Sequence, residues 1–275
     1  MTEGSRGPIA SEACRQTTPR HLAVQRVADI LRLLSWHGQL GIREIGRYLE
    51  EDKSTVQRAI QTLEATGLIE RDTASGQWFL GDGLAEMGLR GRKHRWLLNC
   101  AAPVLLTLQR RSREWVSLSV PMDNSMVHID RIPVRSSAIP WGGVGMVRGV
   151  GNRVPMQNTA VGAAYLAELP QEERELRYRE MDFSRPATRW SASREALEQE
   201  LEAIRGRGYA VSDEEFSPGI VGLAAAVIGW QARPVGTISV IGQRSSLTGE
   251  RVALVGGLVR NAAYEVSRMA RWEGK

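Results

Sequence analysis

The chain has 275 residues, 42% of them hydrophobic and 24% charged, with a formal net charge of +5; this is a globular profile with length for two domains, each able to bury a core. Two cysteines, Cys14 and Cys100, and four histidines support neither a disulfide framework nor a structural zinc cluster. No apolar run reaches the roughly 18 residues of a membrane span, and the positive balance, carried almost wholly by arginine, mildly favours an anionic partner.

The first 20 residues, "MTEGSRGPIASEACRQTTPR", have no hydrophobic signal core and read as a disordered tail on a cytoplasmic protein. A first helix follows in "HLAVQRVADILRLLSWHG", with Val24, Val27, Ala28, Leu31 and Leu34 on one face and Gly38 as its stop. A second, shorter helix carries Ile42, Ile45 and Leu49.

The third helix lies in "DKSTVQRAIQTLEATGLIERD". Val56, Ala59, Ile60 and Leu63 share its inner face, and Gly67 ends it in the left-handed conformation that glycine adopts at least cost. Asp52 or Ser54 can cap its start, and Ser54 with Gln57 fits a capping box. Its outer face holds Ser54, Gln57, Arg58 and Gln61, with Thr55 at the edge and Lys53 at the start. These groups suit base edges and phosphates, against the plainer reading of a solvated helix face. "GLIERD", "TASG" and "QWFLG" then read as strand, turn and strand, with Gly76 in the turn. Three helices and a hairpin make a winged helix-turn-helix over 21–82; the third helix would enter the major groove of double-stranded DNA, and Arg71 or the wing tip would touch flanking backbone.

A helix starting near Leu84 is expected to continue past the basic run Arg90, Arg92, Lys93, His94 and Arg95 as a linker over 83–97. Gly88 and Gly91 weaken it, as a flexible point or as close helix contacts. From 98 to 275 the pattern is α+β, with a largely antiparallel sheet: strands in "WVSLSVP", "SMVHIDRIP", "GLAAAVIGW" and "VGTISVIG", and helices in "NTAVGAAYLAELP" and "SREALEQELEAIRGRGY". His128 and Asp130, two apart, are expected on one strand face, without the nucleophile that covalent catalysis requires. "GGVGMVRGVG" lacks both the Lys-Ser/Thr of a phosphate loop and the surroundings of a dinucleotide fingerprint. No cofactor and no enzymatic activity are indicated.

"STVQRAIQTLEATGLIER", the wing end "GQWFLG" and the later "RGYAVSDEEFSPGIVGLAA" together resemble the IclR family of bacterial transcription regulators, in that family's order and spacing, from residue 22 to the C-terminus. The resemblance implies a winged helix, a linker helix and a C-terminal effector domain related to GAF and PAS sensor folds. It also implies a homodimer or tetramer and a small-molecule effector, here of a repressor controlling a catabolic operon. The alternative is a small-molecule-binding or catalytic protein whose winged helix mediates protein contacts. One departure is "EEDK" before the third helix: Glu50, Glu51 and Asp52 would sit near phosphates unless they cap the helix and point away.

Matched to the family pattern, the effector cavity takes Ser212, Gly222, Ser239 and Ile241, with Ala163 nearby where Lys or Arg is frequent. Gly222 replaces a frequent Cys and opens space, and Ser212 replaces a frequent acid. Trp141 heads the glycine-rich loop and is the candidate to stack on the ligand, while Val144, Met146, Val154, Met156, Ala160 and Val161 form an apolar wall. The expected effector has an aromatic or apolar body and one or two polar handles.

Overall fold

The computed structural model describes residues 22–90, 94–134, 149–181, 183 and 193–272. It falls into two units, Met1–Arg92 and Lys93–Lys275.

In the first unit, helices α1 (Leu22–His37), α2 (Ile42–Leu49) and α3 (Lys53–Ala65) precede the strands β1 (Ile69–Arg71) and β2 (Trp78–Leu80) and helix α4 (Asp82–Arg90). Ile30, Leu34, Ile45, Val56, Ile60, Leu63, Ile69 and Trp78 form one buried core, each contributing about 1.5–3 kcal/mol of burial. Gly38 and Gly67, at φ +78° and +69°, end α1 and α3 as their sequence positions predict. The hairpin pairs Ile69 with Leu80 and Arg71 with Trp78, and Leu40 adds a short third strand through two backbone hydrogen bonds to Trp78. Asp72 closes the wing turn by accepting from the amides of Ala74 (3.0 Å) and Ser75 (3.2 Å). Gly81 brings the wing against the end of α3: a Cβ there would lie 2.6 Å from the Gly67 carbonyl oxygen.

The buried face of α1 differs from the expected one. Val24 is 66% exposed, and Ile30, Leu33 and Leu34 are its buried residues, because the core meets only the later turns of the helix. The expected single linker helix is also different. α4 ends at Arg90, a second helix α5 (Arg95–Ser112) begins at Arg95, and α5 buries Leu97, Cys100, Val104, Leu105 and Leu108 in the second unit.

The second unit is a six-stranded antiparallel sheet with helices on both faces. In chain order it runs α5, β3 (Trp115–Met122), β4 (Ser125–Ile132), β5 (Arg153–Pro155), α6 (Ala160–Glu168), α7 (Gln171–Tyr178), α8 (Arg194–Arg207), β6 (Ala210–Asp213), β7 (Ile220–Ile228), β8 (Pro234–Gln243) and α9 (Gly249–Trp272). The strand order is β5-β4-β3-β8-β7-β6. Strand alternation sends Val116, Leu118, Val120, Leu223, Ala225, Ile238 and Val240 toward α5 and α9. The opposite face carries Ser117, Ser119, Gly222, Ala224, Thr237, Ser239 and Ile241, under α6 and its neighbours. The long α9 was not among the expected elements, although Val252, Val255, Val259, Ala262, Val266 and Ala270 recur at helical spacing.

Candidate DNA interface and ligand cavity

In the first unit, the outer face of α3 is open as expected. Lys53, Ser54, Gln57, Arg58 and Gln61 are exposed and Thr55 is at the edge, while Val56, Ile60 and Leu63 are buried on the opposite side. The cap is Asp52 alone: its Oδ1 accepts from the Thr55 amide at 2.9 Å. Helix α3 starts at Lys53, so Ser54 already lies inside it and the expected Ser54–Gln57 box does not form. Ser54 Oγ and Thr55 Oγ1 each donate to Asp52 at 2.6 Å. These hydroxyls, followed by the Thr55 amide, hold the Asp52 carboxyl well below the usual carboxylate range. Their protons are thus committed to the cap, and Lys53, Gln57, Arg58 and Gln61 are the polar side chains left open for contact.

The acids before α3 are disposed in a way that removes most of their expected harm. Glu51 pairs with Arg26 of α1 at 2.6 Å, and Asp52 turns its charge onto the helix N-terminus, where the helix dipole favours it. Glu50 is exposed and ends α2 in the left-handed region, at φ 56°. Arg71 is exposed on β1; its guanidinium lies 5.7 Å from the centre of the Trp78 ring and its Nε donates to the Gly76 carbonyl at 3.5 Å.

In the second unit a cavity opens between the sheet and the start of α6. Val154, Ala160, Val161, Ser212, Gly222, Ser239 and Ile241 line it, all of them expected there, together with His128, Thr159, Phe216, Ser217, Ile220 and Leu223, which sequence reasoning did not assign. Space for water centres inside it is about 60 Å³, several times the roughly 10–15 Å³ one water needs. The wall is mostly aliphatic, and a polar group in it needs a partner.

Met156 and Ala163, by contrast, are buried in the core around α6 and are not among the lining residues. Their neighbour Gly162 explains the packing: a Cβ there would lie 2.1 Å from the Met156 carbonyl oxygen, so the chain before α6 is drawn tightly onto its first turn. Trp141, Val144 and Met146 lie outside the described residues. Among the described residues, Trp115, 1% exposed, packs with the lining residues Ile220 and Ile241.

Polar groups gather on the cavity side of β3 and β8. Ser117 pairs with Ser239, and Ser119 with Thr237; all four are at most 1% exposed. The hydroxyls of Ser117, Thr237 and Ser239 have no hydrogen-bond partner among the described residues. Buried hydroxyls are nearly always satisfied, and leaving one unmade costs about 1–3 kcal/mol. Thr159 caps α6 by accepting from the Gly162 amide at 3.2 Å. Ala160 and Val161 supply the first amides of that helix at the cavity, where amides have no partner within the helix.

A β-bulge reshapes β4. Ser119 faces His128 but Leu118 faces Asp130, so Ile129 is extra. His128 therefore stays on the cavity face with Ser119, Asp130 shifts with Leu118 toward α5 and α9, and Arg131 returns opposite Ser117. The expected shared face for His128 and Asp130 is lost, and with it any His–Asp pair. Arg131 stacks 5.0 Å from the centre of the Trp115 ring, and burial lowers its pKa to about 10. Burial first, and the Arg131 charge second, lower His128 to about 4, so its imidazole is neutral at pH 7.

Among the described residues there is no group of acids, histidines and cysteines able to hold a metal ion, and no helix long and apolar enough to cross a membrane.

Comparison with known proteins identifies both units. Residues 23–73 match the IclR helix-turn-helix domain, and residues 93–268 match the bacterial transcriptional regulator IclR C-terminal domain. The chain is 28% identical over 259 residues to the transcriptional repressor IclR of Escherichia coli, covering 91% of this chain and 92% of the relative. Among solved structures, the IclR protein of Thermotoga maritima aligns with a TM-score of 0.71 at 25% identity, over 90% of this chain and 98% of the other. An IclR homologue of Microbacterium hydrocarbonoxydans, solved with 4-hydroxybenzoate, shares the fold with a TM-score of 0.73 at 22% identity, over 90% and 98% of the two chains. With a family match over most of its length in each unit, the chain belongs to the IclR family of bacterial transcription regulators and is a DNA-binding regulator.

Proposed function

We propose that the protein is a cytoplasmic, ligand-responsive repressor, acting as a homodimer or tetramer on operator DNA. Lys53, Gln57, Arg58 and Gln61 read base edges from the major groove, Ser54 and Thr55 flank them, and Arg71 holds phosphate beside the wing. The ligand is an aromatic acid that enters the cavity of the second unit and changes operator affinity by about 1–3 kcal/mol; its presence reports the substrate of a catabolic operon.

The observation that carries the ligand reading is the buried hydroxyl of Ser239, without a hydrogen-bond partner among the described residues, in a mostly aliphatic wall. A ring buries its body against Val154, Val161, Ile220 and Ile241, and its carboxylate finds Ser239, Ser212 and the amides at the start of α6, where the helix dipole favours an anion. A protein of the same fold accommodates 4-hydroxybenzoate, which supports a ligand of this size. Glyoxylate-sized acids would leave the aliphatic wall unfilled. Calorimetry with benzoate, 4-hydroxybenzoate and glyoxylate tests this. The aromatic acids should bind and quench tryptophan fluorescence, and Ser239→Ala should weaken them by about 1 kcal/mol, the worth of one hydrogen bond. Tight glyoxylate binding with no response to either aromatic acid would overturn the reading.

A further inference from the structure

Glu50, Glu51 and Asp52 precede the helix that the proposed function sends into the major groove, and each is disposed differently. Asp52 is committed to the α3 cap, through the Thr55 amide and two hydroxyls. Glu50 is exposed. Glu51 is held by a cation: Nε and Nη2 of Arg26 donate to the same carboxylate oxygen, Oε1, at 3.0 and 2.6 Å. Arg26 reaches across 25 residues for this contact, although Asp29 is a neighbour on its own helix. Asp29 accepts instead from Gln25 Nε2 and Arg32 Nη1, each at 3.1 Å.

The turn keeps its shape without this pair. The Glu51 amide donates to the Gly46 carbonyl at 3.0 Å, and the Val56 amide to the Asp52 carbonyl at 3.1 Å. Glu50 ends α2 in the left-handed region. A Cβ at Gly46 would lie 3.0 Å from the Glu51 carbonyl oxygen, so the backbone is already seated closely there. The side chains of Arg26 and Glu51 are 20% and 31% exposed, and an ion pair that near water adds little to stability. Its remaining role is electrostatic. A free carboxylate one residue before the cap would stand where a helix N-terminus meets phosphate, inside the screening length of about 10 Å. Held against a guanidinium, the same carboxylate presents almost no net charge at that range.

Resting on the DNA reading above, we propose that Arg26 is a positioning residue for DNA binding: it holds the Glu51 carboxylate to α1 and removes a repulsive charge from the phosphate-facing end of α3. Arg26 touches no DNA; it acts through Glu51. Helix α1, which carries none of the base-reading groups, thereby sets the affinity of the helix that does.

The test titrates the full chain, by mobility shift, onto DNA from upstream of its own gene and onto a random-sequence duplex of equal length. Arg26→Gln keeps much of the stem and removes the charge. It should weaken binding to both duplexes alike, by roughly three- to tenfold at low salt and less as salt rises, because phosphate repulsion ignores sequence and is screened. Arg26→Lys keeps the charge and should recover most of that loss. In the Glu51→Gln background, Arg26→Gln should cost no more than about twofold, which is the coupling expected of a residue acting through its partner. Glu51→Gln alone should bind at least as tightly as wild type, so it decides the matter even if Arg26→Gln fails to fold. A loss confined to the upstream DNA marks a displaced α3, and a loss that persists in the Glu51→Gln background marks Arg26 as a phosphate contact. Either result overturns the proposal, as does unchanged binding by Arg26→Gln or weaker binding by folded Glu51→Gln, and all four leave the DNA reading intact. Retardation of neither duplex by wild type overturns the DNA reading, and this inference with it.

Discussion

Gly222→Leu is expected to abolish ligand response while leaving operator binding intact. Gly222 sits on β7 in the cavity wall, with Ser212 on one side and Ala160 above. A single Cβ there makes ordinary contacts of 3.7 and 3.9 Å, so Gly222→Ala should fold normally and change ligand affinity only a few-fold. Leucine adds an isobutyl group to a space of about 60 Å³, filling the room a ring needs. The Kd for an aromatic acid should rise more than about a hundredfold, close to 3 kcal/mol. Filling an existing void does not by itself destabilise the fold, so the thermal midpoint should stay near that of the parent. Calorimetry and a melting curve measure both quantities. Undiminished binding in a folded Gly222→Leu protein would move the ligand out of this cavity.

Arg58→Ala should weaken operator binding by about 1–3 kcal/mol with no change in the melting midpoint. Arg58 is exposed on α3 opposite the buried Val56, Ile60 and Leu63, and its one side-chain hydrogen bond to protein among those described is a long 3.4 Å contact to Thr55 Oγ1. Nothing in the core depends on it, so a large loss of binding can only report lost DNA contact. A relaxed preference at one base position would mark it as a base reader; a uniform loss across sequences, with a lower salt dependence, would mark it as a phosphate contact. Operator affinity equal to that of wild type would contradict the outward orientation given to this helix.

The first unit was legible because each of its elements carries its own punctuation. Gly38, Gly67 and Gly76 all adopt positive φ, and the apolar spacing of α3 alone separates Val56, Ile60 and Leu63 from the outward polar face. The cap was legible only in part. Asp52 and Ser54 are both competent caps, and the choice depends on where the link from α2 delivers the chain, with Glu50 turning it and Arg26 holding Glu51.

Ser239 and Ile241 share a face of β8 by the two-residue strand period, and Gly222, opposite Ile241 on β7, has Ala160 of α6 packed over it; the resemblance to the family pattern had already grouped the four. The bulge in β4 is a different kind of feature. "SMVHIDRI" alternates without interruption as text, and only the pairing with β3 reveals that Ile129 is extra and that Asp130 changes sides. The place of His128 on the cavity face is therefore a product of register, and it could be fixed only once its partner Ser119 was known. Met156 does not line the cavity for a related reason: the close approach forced at Gly162 holds it in the core, where Ala163 is buried too.

A DNA-reading helix in one unit and a ligand cavity in the other are both addressed by one experiment. Full-length protein is titrated onto DNA from upstream of its own gene in a mobility-shift assay, with and without 4-hydroxybenzoate. The expected result is retardation of a site with two half-sites about one helical turn apart, as paired recognition helices require, and an apparent affinity that the acid changes by roughly five- to 150-fold. Retardation that is identical with and without an aromatic acid shown by calorimetry to bind the protein would contradict it.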